Sequence, residues 1–219
     1  MIRVYIYCEG QTEEQFIKDI LCPFFLRKNI SVIPIICSTK RTNIKKYKGG
    51  VTTYEKFKSE LTKICKSHNN EFVTTMFDYY ALPNETPGRQ NPVGADIFEK
   101  VIFVEQQIAN DINCDNFIPN LILHEFEGLL FSDPEGFKAY YSSDERLLRL
   151  KRIRDDFLTP EHINDSFETT PSKRIKSIYL DYNKVLGGSI IACEIGIDKI
   201  IEECCHFRDW INKINALAH

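Results

Sequence analysis

The sequence has no apolar run long enough to cross a bilayer, and its start lacks the charge-then-apolar layout of a signal peptide. It also lacks any C-x-x-C pair. Its 8 cysteines (Cys8, Cys22, Cys37, Cys65, Cys114, Cys193, Cys204, Cys205) are scattered, several of them inside apolar runs. Reduced cysteine behaves there as a small hydrophobe, which argues against a zinc site or a disulfide framework and for a reducing cytoplasm. There is no excess of positive charge: at a net charge of −3, binding to nucleic acid requires a local basic patch. A Walker P-loop, a dinucleotide glycine fingerprint, internal repeats and low-complexity tracts are all missing. What is present is ordinary for a globular protein: 219 residues, 43% hydrophobic and 27% charged, enough to bury a full core.

Ile2 to Cys8 is short, apolar and rich in β-branched and aromatic residues, the pattern of a strand covered on both faces. Thr12 follows as an expected helix N-cap, with Gln15 at the capping-box position and Glu13 and Glu14 in the first turn. Ile30 to Cys37 reads as a second strand, "EFVTTMF" as a third running into Asp78, and "FIPNLILHEFE" as a fourth. Helical spacing separates them, including a helix from about Ala95 to Asn110. "YYALPNETPGRQNPVG" is a long Pro/Gly-rich loop, and such loops inside compact domains are often functional.

This alternation predicts an α/β fold: an open, mostly parallel four-stranded sheet with helices on both faces over residues 1–133. Beyond Pro134 only helical patterns are expected, at Asp144 to Phe157, Ser172 to Tyr182 and His206 to the end. Residues 134–219 are therefore expected to form a helical extension packed on the core.

Ligands of open parallel sheets collect beyond the carboxyl ends of the strands. Three expected strands deliver acids there: Glu9 after the first, Asp78 after the third, and Glu125 or Glu127 after the fourth. Acids gathered at one sheet edge repel unless a cation lies between them, and hard oxygen donors suit Mg²⁺ or Mn²⁺. Glu125 and Glu127 are expected to face different points, and Glu125 is the preferred ligand. His124 stands beside them as a group that would touch phosphate or orient a carboxylate.

"YIYCEGQTEEQF" resembles the first TOPRIM motif, a strand ending in Glu-Gly, and "VTTMFDYYALP" resembles the second, a strand ending in Asp. Together "CEGQTEEQF", "TTMFDYYALP…TPG", "HEFEGLLFSDP", "TPSKRI" and "IGIDKIIEECCHFRDWINKI" resemble the bacterial TOPRIM-like family known as domain of unknown function 4276. The resemblance spans nearly the whole chain. It implies a TOPRIM-like core, Mg²⁺-dependent cleavage of DNA or RNA, and a partner ATPase of the kind found in anti-phage systems such as the overcoming-lysogenization-defect nucleases. It also implies that Glu9 is a metal ligand or general acid/base and Asp78 a metal ligand. The general second motif is Asp-x-Asp, whereas Tyr80 stands here at the second acid.

Phosphate neutralisation dominates nucleic-acid affinity, so cations are sought near the acids. Lys40, Arg41, Lys45, Lys46 and Lys48 lie in the loop after the second strand, with Gly49-Gly50 able to admit a phosphate to backbone amides. Arg89 lies in the Pro/Gly-rich loop. Lys173 and Arg174 follow an expected helix start at Pro171-Ser172, where the dipole disfavours cations, which points to a functional placement. Lys173 is the candidate for neutralising charge in a transition state.

Overall fold

The computed structural model describes residues 1–38, 53–141, 144–164 and 169–218. Four parallel strands form one sheet in the order β2-β1-β3-β4: β1 (Ile2–Cys8), β2 (Ile30–Ile36), β3 (Phe72–Met76) and β4 (Phe117–Ile118). The fold is the expected α/β open parallel sheet. Alternation along β1 divides the core in two. Val4, Ile6 and Cys8 face one cluster with α1 (Gln11–Phe16) and α2 (Cys22–Leu26), while Tyr7 faces another with α3 (Tyr54–Ser67) and α4 (Ile97–Ile112). Helices therefore cover both faces, as a sheet buried on both sides demands.

Local chemistry explains most boundaries. Thr53 caps α3 by accepting from the Lys56 amide at 3.3 Å, and Asp96 caps α4 through the Glu99 amide at 2.9 Å. Between α1 and α2 the chain widens into a π-turn, Ile17–Leu21, just before Pro23, whose ring would strike the carbonyl four residues back in a regular helix. The expected cap at Thr12 is not the one used. Gly10 holds the N-cap position, and Glu13 reaches back to accept from the Gly10 amide at 2.9 Å. Gly10 itself is extended at φ −160°, a conformation open to any residue.

The fourth strand is far shorter than "FIPNLILHEFE" suggested. Pro119 has no N–H to continue the ladder, and Asn120 takes over by side chain, its Nδ2 donating to the Thr75 carbonyl at 3.0 Å. Pairing resumes only as a single parallel bridge, Asp78 with Ile122. The chain then enters a 3₁₀ segment, Phe126–Ser132, whose Phe126, Leu129, Leu130 and Phe131 are core residues.

Among the described residues five further α-helices follow: α5 (Asp144–Asp155), α6 (Pro171–Ile178), α7 (Lys184–Ile195), α8 (Ile197–Glu203) and α9 (Cys205–Asn215). The first two and α9 match the expected helical stretches to within a few residues, whereas α7 and α8 were not anticipated. These helices do not form a core of their own. Ile175, Ile191, Ile200, Phe207, Trp210 and Ile214 join the cluster of Val4, Ile6 and Phe16. Trp210, fully buried, donates its indole N–H to Thr74 Oγ1 on β3 at 2.9 Å. Glu161 caps α9, accepting from the His206 and Phe207 amides, each at 3.0 Å.

Candidate active site

The order β2-β1-β3-β4 places the topological switch between β1 and β3, where the chain leaves neighbouring strands in opposite directions. Cys8 pairs with Met76 at the end of that register, and the Glu9 amide still donates to the Met76 carbonyl at 3.3 Å. Glu9 and Asp78 thus emerge side by side at the carboxyl edge. Asp78 is held by the chain beyond β4, accepting from the Phe126 amide at 3.0 Å. Glu125 Oε2 accepts from the Ser172 amide at 2.9 Å, in the first turn of α6.

Two residues not singled out from the sequence complete the cluster. Glu13, assigned only a helix-start role, is buried with its charge against Glu9 and Asp78. Lys184, the first residue of α7, sets its ammonium 3.0 Å from Glu127 Oε1. A signal for it exists: Asn183 caps α7, accepting from the Leu186 amide at 3.1 Å. Gly188 lets α7 lie close to the sheet edge, since a Cβ there would sit 3.1 Å from the Phe126 ring. Lys184 pairs with Glu127 and also feels the charge of Glu125, whose Oε2 is turned to the Ser172 amide.

Electrostatics sharpen the picture. Burial, then the charge on Glu13, lifts the Glu9 carboxyl from its ordinary 4.5 to about 7, with Glu125 adding to the rise and Lys184 opposing it. Burial, then Glu9, Glu13 and Glu127, holds Asp78 well above the ordinary aspartate range. Glu127, 1% exposed, is raised by burial and held back by Lys184. Burial would lower the Lys184 ammonium, but Glu127, Glu125 and Asp78 outweigh it and keep it charged. Among the described residues the cluster is thus short of positive charge, and Glu9 Oε2 is buried without a hydrogen-bond partner.

The remaining expected site residues fall in several places. Lys40, Arg41, Lys45, Lys46 and Lys48 lie outside the described residues. Lys173 sits in the first turn of α6, next to the amide that binds Glu125. Arg174 turns aside, donating from Nε to the Thr169 carbonyl at 2.7 Å and lying 5.1 Å from the Phe157 ring centroid. Arg89 lies over the ring of Tyr79, the residue after Asp78, at 4.2 Å. His124 is buried and stacked on Tyr80.

A divalent cation fits this set in donor type, since Glu9, Asp78, Glu125 and Glu127 offer hard carboxylate oxygens, one of them orphaned. The acids form an open cluster: among the described residues, no group of three or more His, Cys, Asp or Glu side chains stands close enough to grip an ion.

The chain matches the family described as "Domain of unknown function (DUF4276)" over residues 8–215. It belongs to that family. No curated protein matches it. Among solved structures, it is similar to the C-terminal region of the Burkholderia pseudomallei OLD protein, with 15% identity, 100% of each chain covered and a TM-score of 0.48. It is similar also to the C-terminal region of the Xanthomonas campestris pv. campestris OLD protein, with 17% identity, 100% of this chain and 96% of that one covered, and a TM-score of 0.45. Values this low transfer no chemistry from those proteins to this family member. Among the described residues no helix is long and apolar enough to cross a membrane.

Proposed function

We propose that this chain is a metal-dependent, TOPRIM-like nuclease that cleaves phosphodiester bonds of DNA or RNA. The observation that carries the proposal is the gathering of Glu9, Asp78 and Glu127 at the switch point, under-neutralised and with the Glu9 Oε2 atom unpartnered. Glu9, Asp78 and Glu125, or Glu127 in place of Glu125, would hold Mg²⁺ or Mn²⁺. When bound, such an ion polarises a scissile phosphate and acidifies an attacking water.

The chain's own residues supply the rest. In the metal-free chain the Glu9 carboxyl, lifted to about 7, holds and releases a proton near neutral pH, so general acid/base work is the alternative role for Glu9 where it does not ligate the ion. Lys184 opposes the burial that raises the Glu127 carboxyl and contributes fixed positive charge beside the reacting centre. Lys173, on the α6 turn that orients Glu125, stands to neutralise transition-state charge. The motif resemblance supports work alongside an ATPase partner in an anti-phage or mobile-element system, and eight unbridged thiols support a reducing cytoplasm.

Purified protein incubated with single- and double-stranded DNA and RNA in Mg²⁺ or Mn²⁺ tests the reading. Glu9→Gln and Asp78→Asn are each expected to lower the cleavage rate by at least 100-fold, on the order of a lost charge-stabilising group. Cleavage surviving unchanged in both variants refutes it. A second reading, a non-catalytic subunit that binds nucleic acid or an ATPase, is favoured by Tyr80 at the place of the second motif acid and by the ion pair that already occupies Glu127. Metal-dependent turnover separates the two.

A further inference from the structure

Past Asp78 the sheet edge continues as an aromatic step. The bridge between Asp78 and Ile122 sets the next parallel register two residues on, which brings Tyr80 beside His124. Their rings stack at 4.9 Å between centroids and 16° between planes. His124 is buried and held at φ +64°, an uncommon left-handed setting for a non-glycine residue, so its ring serves as a fixed backing. Tyr80, although backed on one side, remains 45% exposed. Tyr79 meets it edge-on at 5.8 Å.

A cation is fastened beside this step. The Arg89 guanidinium lies 4.2 Å from the Tyr79 ring centroid and 5.7 Å from that of Tyr80. Its Nε is buried, with no hydrogen-bond partner among the described residues. The loop that carries it is pinned rather than free. Gly88 has φ +77°, and a Cβ there would sit 2.9 Å from both Phe103 and Gln107 of α4.

A rigid, half-exposed aromatic face with a guanidinium beside it, two residues from a carboxylate cluster, matches the chemistry of a nucleobase followed by its phosphate. A duplex hides its base faces by stacking; only an unpaired base presents one. We infer that Tyr80, backed by His124 and flanked by Arg89, is a stacking platform that selects single-stranded nucleic acid at this site. The inference rests on the nuclease reading for the identity of the polymer. It also gives the residue standing at the second motif acid a task of its own.

Fluorescence anisotropy in EDTA, with mixed-sequence 20-mers of single-stranded DNA, single-stranded RNA and duplex DNA, tests it using the full chain. Single strands are expected to bind more tightly than duplex. Tyr80→Phe should keep wild-type affinity, while Tyr80→Ala should weaken single-strand binding roughly 5- to 100-fold and leave duplex binding unchanged, as for loss of one base stack. A 2-aminopurine placed along the strand should be quenched by wild type and by Tyr80→Phe but not by Tyr80→Ala. Tyr80 is half-exposed, so its variants should fold, and an unchanged thermal midpoint verifies it. Equal affinity for duplex and single strand, an unaffected Tyr80→Ala variant, or no binding at all overturns the platform. Single strands bound in this pattern but never cut with metal present would refute the nuclease reading and leave the platform standing.

Discussion

Replacing Glu9 by glutamine should make the metal-free protein more stable at alkaline pH. Glutamine keeps the shape of the protonated acid and removes the charge that burial disfavours and that Glu13 and Glu125 repel. The Glu9 carboxyl is raised from 4.5 to about 7 in the folded chain, which at roughly 1.4 kcal/mol per unit of pKa is worth about 3 kcal/mol. The sign follows from proton counting. Between these values the folded chain binds the proton and the unfolded chain does not, so this stabilising contribution is complete below pH 4.5 and lost as pH rises through about 7. Wild type and Glu9→Gln should therefore be nearly equal near pH 4.5. By pH 8 the variant should lead by about 3 kcal/mol, or roughly 6–12 °C in thermal midpoint for a chain of this size. Thermal unfolding in EDTA from pH 4.5 to 8.5 reads this directly. Adding Mg²⁺ or Mn²⁺ should then raise the wild-type midpoint more than that of the variant. A midpoint difference that stays constant with pH, or a variant less stable at pH 8, would refute the account of repelling carboxylates.

Three other changes probe the supports of the site. Lys184→Met leaves the buried Glu127 charge without its partner and should cost about 3–5 kcal/mol at pH 8 by chemical denaturation. The loss should shrink as acid protonates Glu127, whose pKa burial has already raised. Trp210→Phe removes the bond to Thr74 while keeping most of the ring, an expected cost of about 1–2 kcal/mol, whereas Trp210→Ala should cost about 3–5 kcal/mol. Glu161→Ala strips the cap from the α9 amides of His206 and Phe207 and should cost about 2–4 kcal/mol, with Glu161→Gln recovering part of it in urea unfolding.

The first three strands were legible because parallel strands buried on both faces appear as unbroken apolar runs, and the chain holds them to within a residue or two of expectation. The fourth was overextended. Apolar content in "FIPNLILHEFE" reflects a buried, irregular path, and the decisive signal was Pro119, which ends the ladder. Glu9 and Asp78 were found because a strand end is a fixed address; Glu13 and Lys184 were not, because their role appears only once distant elements meet. Helix α7 has apolar residues around much of its circumference and two adjacent glycines, so no single stripe betrays it. Its glycines serve close approach to Tyr182 and Phe126, a tertiary demand that periodicity does not encode. The capping of α1 shows the same limit on a smaller scale, where Glu13 takes the task that Thr12 was expected to perform.

The shared core also has a consequence for the order in which the chain comes into being. The sheet and its acids lie before residue 128, yet the ammonium that tempers them and the indole that seals the β1–β3 face come from α7 and α9. During synthesis the early part leaves the ribosome with an uncovered apolar face and an unbalanced nest of carboxylates. Among the described residues, the counter-charge paired with the nest arrives when the last quarter of the chain docks. The acid cluster therefore reaches its final charge balance only after α7 has docked on the sheet edge.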